Sequence, residues 1–321
     1  MSNPTKGDIH VNRPLTNLSV AYTQEQGQFV ADKVFPVVPV QKQSDLYYKY
    51  TKADWMRIEA QERARGTESA GGSYKLETDN YNCKVDAIHK DIDDQDRANE
   101  DEALDMDRDA TNYVSEQLLL RREKRFMDAY MKLAVWTGST TGADIVPGTK
   151  WDASGSDPVN DVDAEIENIS TFTGRRPNRL IVSSDVHVAL KSNASILDRI
   201  KHTQRGVVTE ELLAMLFGVE KYLVARASHN SAAEGVAATY TRLAGSELAL
   251  LTYAAPAPSK YMPSGGYIFG WKGLFGSAGN GQRIKSFRME SLSSDRIEGE
   301  LAQDMKLVAP DLGALFKTVL T

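Results

Sequence analysis

Five histidines, a single cysteine and a short run of aspartates are the side chains with the most direct route to chemistry in this chain. Two metal ligands on one helix face sit about one turn apart, whereas His10, His89, His187, His202 and His229 are scattered, with none four residues from another. Cys83 lies in an alternating, strand-like stretch. No Gly-rich turn or helix start flanks it to stabilise a thiolate, so it reads as a buried structural thiol. One cysteine also excludes an intrachain disulfide and a cysteine zinc cluster. Asp91, Asp93, Asp94 and Asp96 offer oxygens to a divalent cation but lack the glycine and closing glutamate of a calcium-binding loop. No serine sits in a G-x-S-x-G elbow. Gly270-Trp271-Lys272-Gly273-Leu274-Phe275-Gly276 and Gly279-Asn280-Gly281 look like nucleotide loops, yet match neither G-x-G-x-x-G nor G-x-x-x-x-G-K-[ST] and read as a turn-rich surface loop. The expectation is a chain with no catalytic residue, no metal ligand and no cofactor.

The composition fits that expectation. At 321 residues the chain is long enough for two compact units or one elaborated unit with appendages, and 41% hydrophobic with 26% charged residues is the balance of an ordinary globular protein. A net charge of -6 gives no general attraction for nucleic acid, because duplex binding depends on cations displacing counterions from phosphates. Any contact with DNA is therefore expected to be weak and non-specific. The first twelve residues lack the charged start and apolar core of a secretory signal, and no apolar run approaches the ~20 residues that span a bilayer. A cytosolic protein with no membrane partner is expected. The glycosylation patterns at Asn17, Asn168 and Asn193 then read as chance matches.

Residues 1–28 are polar, contain Pro4 and Pro14 and show no sustained period, which marks an extended arm. An apolar run over 29–40 carries Pro36 and Pro39, which lack the N–H that a central ladder needs, so it is expected as an edge strand or an extended buried segment. Alternating stretches at 46–51 and 74–88, the second with Tyr81, Cys83, Val85 and Ala87 on one face, flank a charged segment. Together they read as a long hairpin with a charged tip. A loop of about 20 residues inside a compact domain covers a site or reaches a partner, and an isolated two-stranded ribbon is marginal in water, which favours docking on another molecule. Apolar residues at helical spacing over 99–136, uninterrupted by Pro or Gly, predict a helix roughly 50–60 Å long. It has an acidic front, and Arg121, Arg122, Lys124, Arg125 and Lys132 form a basic cluster that reads as a solvated face or a patch meeting acidic neighbours in preference to a DNA-binding surface. A Gly-, Ser-, Thr- and Asp-rich linker over 138–158 marks a boundary. Beyond it come a helix over 159–173 capped by Asp157 and Pro158, a buried strand at 177–183 running into a helix, a helix at 209–217, strands at 221–227 and 247–252, closing strands at 283–292 and 296–307, and a short apolar tail.

This order of arm, apolar edge segment, charged hairpin, very long helix, linker, α/β unit and late returning strands resembles the major capsid proteins of tailed bacteriophages, which are α+β proteins of the Hong Kong-type capsid fold. The pieces that carry the resemblance are Phe29-Val30-Ala31-Asp32-Lys33-Val34-Phe35-Pro36-Val37, the hairpin between Tyr47 and Asn82, the helix over 99–136, and Pro177-Asn178-Arg179-Leu180-Ile181-Val182-Ser183 before Asp185-Val186-His187. The resemblance implies an N-terminal arm (1–34), a peripheral domain (35–50 and 83–158) built on a spine helix (99–136), an extended loop (51–82), an axial domain (159–282), and returning strands with a C-terminal tail (283–321). It implies a non-enzyme that self-assembles into pentamers and hexamers of an icosahedral head around double-stranded DNA, in a virion put together in the host bacterial cytoplasm. Arg13 on the arm and Trp55, Arg57, Arg63 and Arg65 on the hairpin are the candidate intersubunit contacts. The implied partners are further copies of the chain, a portal protein, a decoration protein in some relatives, and a separate scaffolding protein, since no long charged coiled region precedes the arm. Lys52 or Lys75 would be the lysine of an intersubunit crosslink, although no motif supports one. An encapsulin-like compartment shell shares the fold, and an α/β enzyme binding a ligand near Gly273 is the reading from another class.

Overall fold

The computed structural model describes residues 24–99, 105–201, 208–259, 262–275 and 281–321, so most of the expected arm lies outside the described residues. In chain order the elements are the single turn α1 (Ala31–Val34), β1 (Val37–Val40), β2 (Ser44–Tyr50), α2 (Lys52–Trp55), β3 (Leu76–Asn82), β4 (Lys84–Asp93), α3 (Asp94–Ala98) and the long helix α4 (Met106–Tyr130). There follow α5 (Pro158–Thr173), β5 (Arg179–Ser183), α6 (Ser184–Ser192), α7 (Ala194–Ile200), α8 (Glu210–Leu216), β6 (Lys221–Ala225), β7 (Ser228–Asn230), β8 (Tyr240–Arg242) and β9 (Ala249–Thr252). The chain closes with β10 (Gly266–Trp271), α9 (Lys272–Phe275), β11 (Gln282–Met289), β12 (Ser294–Leu307) and β13 (Gly313–Phe316).

Two sheets carry the body. In the first, β1, β10, β12 and β11 lie in that order and β4 also pairs with β12. Strand β12 is long enough to take β10 against residues 303–307 while β4 and β11 flank its earlier part. The second sheet has the order β13-β9-β5-β6. Its strand β5 is buried along its whole length, which is why it reads as an unbroken apolar run without alternation. Helices α5 to α8 pack on this sheet around Trp151, Ile166, Leu190, Ile196 and Phe217. A second cluster of Phe35, Phe126, Tyr130, Trp136, Ile181, Leu250, Ile268 and Leu315 draws from both sheets and from α4, so the two halves share a core.

Local chemistry accounts for the helix boundaries. Asp157 caps α5 by accepting from the Asn160 N–H (3.4 Å), Pro158 fills the first turn, and Gly174 ends the helix at φ 66°, a conformation glycine adopts without a Cβ penalty. Helix α4 starts at Asp105, whose carboxylate accepts from the Arg108 N–H (3.0 Å). It lies against β12 where Gly299 has no side chain: a Cβ there would meet Val114 Cγ1 at 2.4 Å.

Several expectations need correction. The long helix covers Met106–Tyr130, roughly 38 Å, and not 99–136. It stops because Trp136 must enter the core. Its indole N–H donates to the Tyr130 carbonyl (2.7 Å), and Ala134 turns to φ 60° with its N–H held by Asp144 (3.1 and 3.0 Å). Residues 31–34 form a helical turn, and only the Val37–Val40 part of that run is the edge strand, parallel to β10. The stretch 74–88 is two strands: at Cys83 the chain leaves β2 for β12, so Val85 is 42% exposed while Tyr81 and Cys83 are buried. The glycine-rich segment is no surface loop at its start, since β10 is a buried strand between β1 and β12. By sequence order this strand falls in the range expected for the axial unit; it pairs inside the first sheet, whereas β13 from the returning tail pairs inside the second. At Gly273, which is exposed, a Cβ would sit 2.0 Å from the Gln41 carbonyl oxygen, so the backbone there packs closely on the segment after β1.

Candidate assembly surface

The hairpin is the part of the molecule with the least of its own chain around it. Strands β2 and β3 pair in register from Ser44 with Asn82 to Tyr50 with Leu76, and between them the chain from Met56 to Ser73 is exposed almost throughout. Ile58 is 93% exposed and Trp55 54%, with Leu46, Tyr48, Met56, Tyr74 and Leu76 also open. Trp55 packs edge-on to Tyr50 (5.5 Å) and tilts on Tyr74 (5.6 Å), an aromatic trio at the base of the tip. Arg57 pairs with Glu59 (3.4 Å), the Arg63 guanidinium donates to the Thr67 carbonyl, and Arg65 has no hydrogen bond or ion pair. The structure thus places Trp55, Arg57, Arg63 and Arg65 on one exposed tip, whereas Arg13 lies outside the described residues.

The root of the hairpin is fastened. Tyr81 stacks on Phe269 (4.7 Å) and Tyr47 tilts on the same ring (5.5 Å), while the Asn82 N–H donates to Asp304 (2.8 Å). The Tyr47 hydroxyl donates to Asp79 (3.0 Å), and burial with that neighbour raises its pKa. Lys52 pairs with Asp311, and Met56 reaches the end of α5 beside Gly174. Cys83 is fully buried at this root, where burial pushes its thiol up to about 12, so it is a packing residue and not a thiolate.

Two residues that sequence patterns did not single out hold the incoming chain against the body, one on α4 and one at β7. Glu123 is fully buried and accepts from the N–H groups of Val30 (3.1 Å) and Ala31 (2.9 Å), capping α1. Burial pushes its carboxyl up to about 7, against the pull of these donors. The available signal was an acid among the apolar positions Leu120, Phe126 and Met127 of a helix. Gln24 donates to the Ser228 carbonyl (2.6 Å) and accepts from its N–H (3.0 Å), so its amide acts as a short strand partner for β7.

The candidate chemical residues are engaged elsewhere. Asp91 is held by Arg296 (2.7 and 2.8 Å) and Asp94 by Arg288 (both 2.6 Å), which keeps both carboxyls below their usual range, while Asp93 caps α3. His187 is buried on the Tyr222 hydroxyl (3.0 Å), and burial lowers its pKa. His89 lies near Asp91 (3.9 Å), and His10 and His202 fall outside the described residues. Among the described residues no three His, Cys, Asp or Glu side chains are grouped to hold a metal, and no helix is long and apolar enough to cross a membrane. Of the basic cluster, Arg121 and Arg125 both pair with Asp86 (2.9 Å each) and Lys124 with Asp128 (2.6 Å).

No family model matches the chain. The major capsid protein of Burkholderia phage BcepMu is 27% identical over 273 residues, covering 82% of this chain and 84% of that protein. Among solved structures, a phage-related protein from Bordetella bronchiseptica superposes with a TM-score of 0.69 at 20% identity, over 92% of this chain and 94% of that one. The capsid of cyanophage P-SCSP1u gives 0.62 at 11% identity, over 98% and 95%. The encapsulin of Synechococcus elongatus gives 0.58 at 11% identity, over 96% and 94%.

Proposed function

We infer the working of this chain from its family: it is a phage major capsid protein with the Hong Kong-type capsid fold, and copies of it form the capsid shell. The encapsulin likeness rests on fold alone and is the weaker reading, because the sequence relative is a phage capsid protein. We propose that the first sheet with α4 is the peripheral domain, and that the second sheet with α5 to α8 is the axial domain, which meets its copies in rings of five and six. Closed rings need head-to-tail contacts in which each subunit offers two different surfaces.

The observation that carries this reading is the hairpin tip. The exposed Trp55 and Tyr74 beside a nearly bare Ile58 and three arginines form a surface that its own chain leaves uncovered. Interface anchors are typically Trp, Tyr and Arg, so Trp55, Arg57, Arg63 and Arg65 are proposed to lie on an adjacent subunit. The net charge of -6 supports a container that holds its double-stranded DNA only by weak, non-specific contact. A head of this kind also calls for scaffolding and portal proteins and has room for a decoration protein, with assembly in the host bacterial cytoplasm. Negative-stain electron microscopy of the purified chain, alone and with lysate of cells making the accompanying phage proteins, tests the proposal. Closed shells or five- and six-membered rings are expected, and uniform monomers under both conditions would overturn it.

A further inference from the structure

Arg122 is the one charged side chain in the middle of α4 that the fold buries without giving it anything to hold. The residue is 7% exposed, its Nε is shielded from solvent with no hydrogen-bond partner, and among the described residues its guanidinium makes no ion pair within 4.0 Å. Asp32 and Glu123 favour its charge from a distance, yet neither makes an ion pair with it. Glu123 is turned to the N–H groups of Val30 and Ala31, and Asp32 on α1 stays beyond ion-pairing distance. Neighbouring arginines on the same helix are treated differently: Arg121 and Arg125 share Asp86, and Arg125 also donates to the Gln303 carbonyl (2.9 Å). A guanidinium carries five N–H donors in a fixed fork and stays charged. Leaving one of these N–H groups desolvated and unpaired is costly in a protein interior. In a chain that works as one copy among many, the missing acceptor can come from outside the chain.

We propose that Arg122 is an intersubunit receptor for a carboxylate of a second copy of this chain, supplied by the charged hairpin through Glu62 or Glu68. These are the acids between Met56 and Ser73 that have no ion pair, whereas Glu59 is taken by Arg57. Both stand on the exposed tip, and a carboxylate matches the planar fork of an arginine with two parallel hydrogen bonds. The small part of Arg122 still open to solvent gives such a group its way in. The pairing rests on the hairpin reaching a neighbouring subunit, and it adds where an acid of the tip lands and which charge receives it.

The test separates the folding of the subunit from the building of the shell. Arg122→Met is expected to melt at or above the parent temperature as an unassembled subunit, since it removes an unpaired buried charge, and to form shells at least tenfold less well by light scattering and electron microscopy. Arg122→Glu is expected to lose shells and to recover them when combined with Glu62→Lys or Glu68→Lys. A subunit clearly destabilised by Arg122→Met but assembling normally would overturn the proposal, because Arg122 would then be serving its own chain. Failure of both charge-swapped pairs to recover shells, in subunits that fold, would overturn the assignment to the hairpin. Deleting residues 52–72 tests the docking of the hairpin separately: normal shells from that deletion would remove the premise, whatever Arg122 does.

Discussion

The body and the hairpin of this molecule are built from similar residues and use them in opposite ways. In the body, Phe35, Tyr130 and Trp136 pack on one another inside a core shared by two sheets, and even the indole N–H of Trp136 is satisfied by the carbonyl it caps. In the hairpin, Tyr50, Trp55 and Tyr74 make a similar trio at similar spacings, yet Trp55 and Tyr74 stand open to water over a half-buried Tyr50. The first arrangement holds one subunit together. The second is largely open to solvent, and it is proposed to act between copies.

Four substitutions sharpen or break this contrast, taken from the largest expected effect on the subunit. Trp136→Ala removes a core ring and its cap on α4. It is expected to cost about 4 kcal/mol in denaturant unfolding and to abolish shells only by unfolding the subunit. Glu123→Gln tests the buried latch through pH. With its carboxyl raised from 4.5 to about 7, the native chain keeps a proton between those values that the unfolded chain has lost. This contribution to stability is therefore fully kept below about pH 4.5 and falls as pH rises towards 7, by about 3 kcal/mol. The mutant should lose that slope and gain on the parent between pH 5 and 8 in paired thermal melts, and parallel curves would contradict the assignment. Gly299→Ala places a methyl against Val114 and Leu118 and is expected to cost about 2 kcal/mol by overpacking. Trp55→Ala is expected to change subunit stability by about 1 kcal/mol or less, the worth of a partly exposed aromatic contact, while shell yield drops sharply. A large loss of subunit stability there would erase the distinction between the two trios.

Much of this architecture can be read from residue patterns because each piece is governed by local chemistry. Asp157, Pro158 and the apolar stripe of Val162, Ile166 and Ile169 mark α5, and the Leu-Ile-Val run marks β5 as a central strand. What stayed hidden depends on distant partners. The helical period continues in sequence past Tyr130, but the pull of Trp136 into a core made partly by β10 and β13 ends the helix. Alternation runs through Cys83 unbroken, although the strand changes partners there. The short strands β7 and β8 carry too few residues for a periodic signal, and Glu123 reveals its role only when α1 is laid against it. At the assembly surface the exposed tip with Trp55 was legible as a charged loop too long for a compact domain, while the unpaired state of Arg122 required every neighbouring acid to be placed.

The root of the hairpin is fastened to its own chain, and the exposed tip is proposed to bind copies together while adding little to the stability of the copy it belongs to. The most direct measurement is therefore the chain lacking residues 52–72, with β2 and β3 still paired, followed by thermal unfolding and by electron microscopy at concentrations where the parent makes shells. The account predicts a folded subunit with nearly the parental melting temperature and no shells, and normal shells from the shortened chain would contradict it.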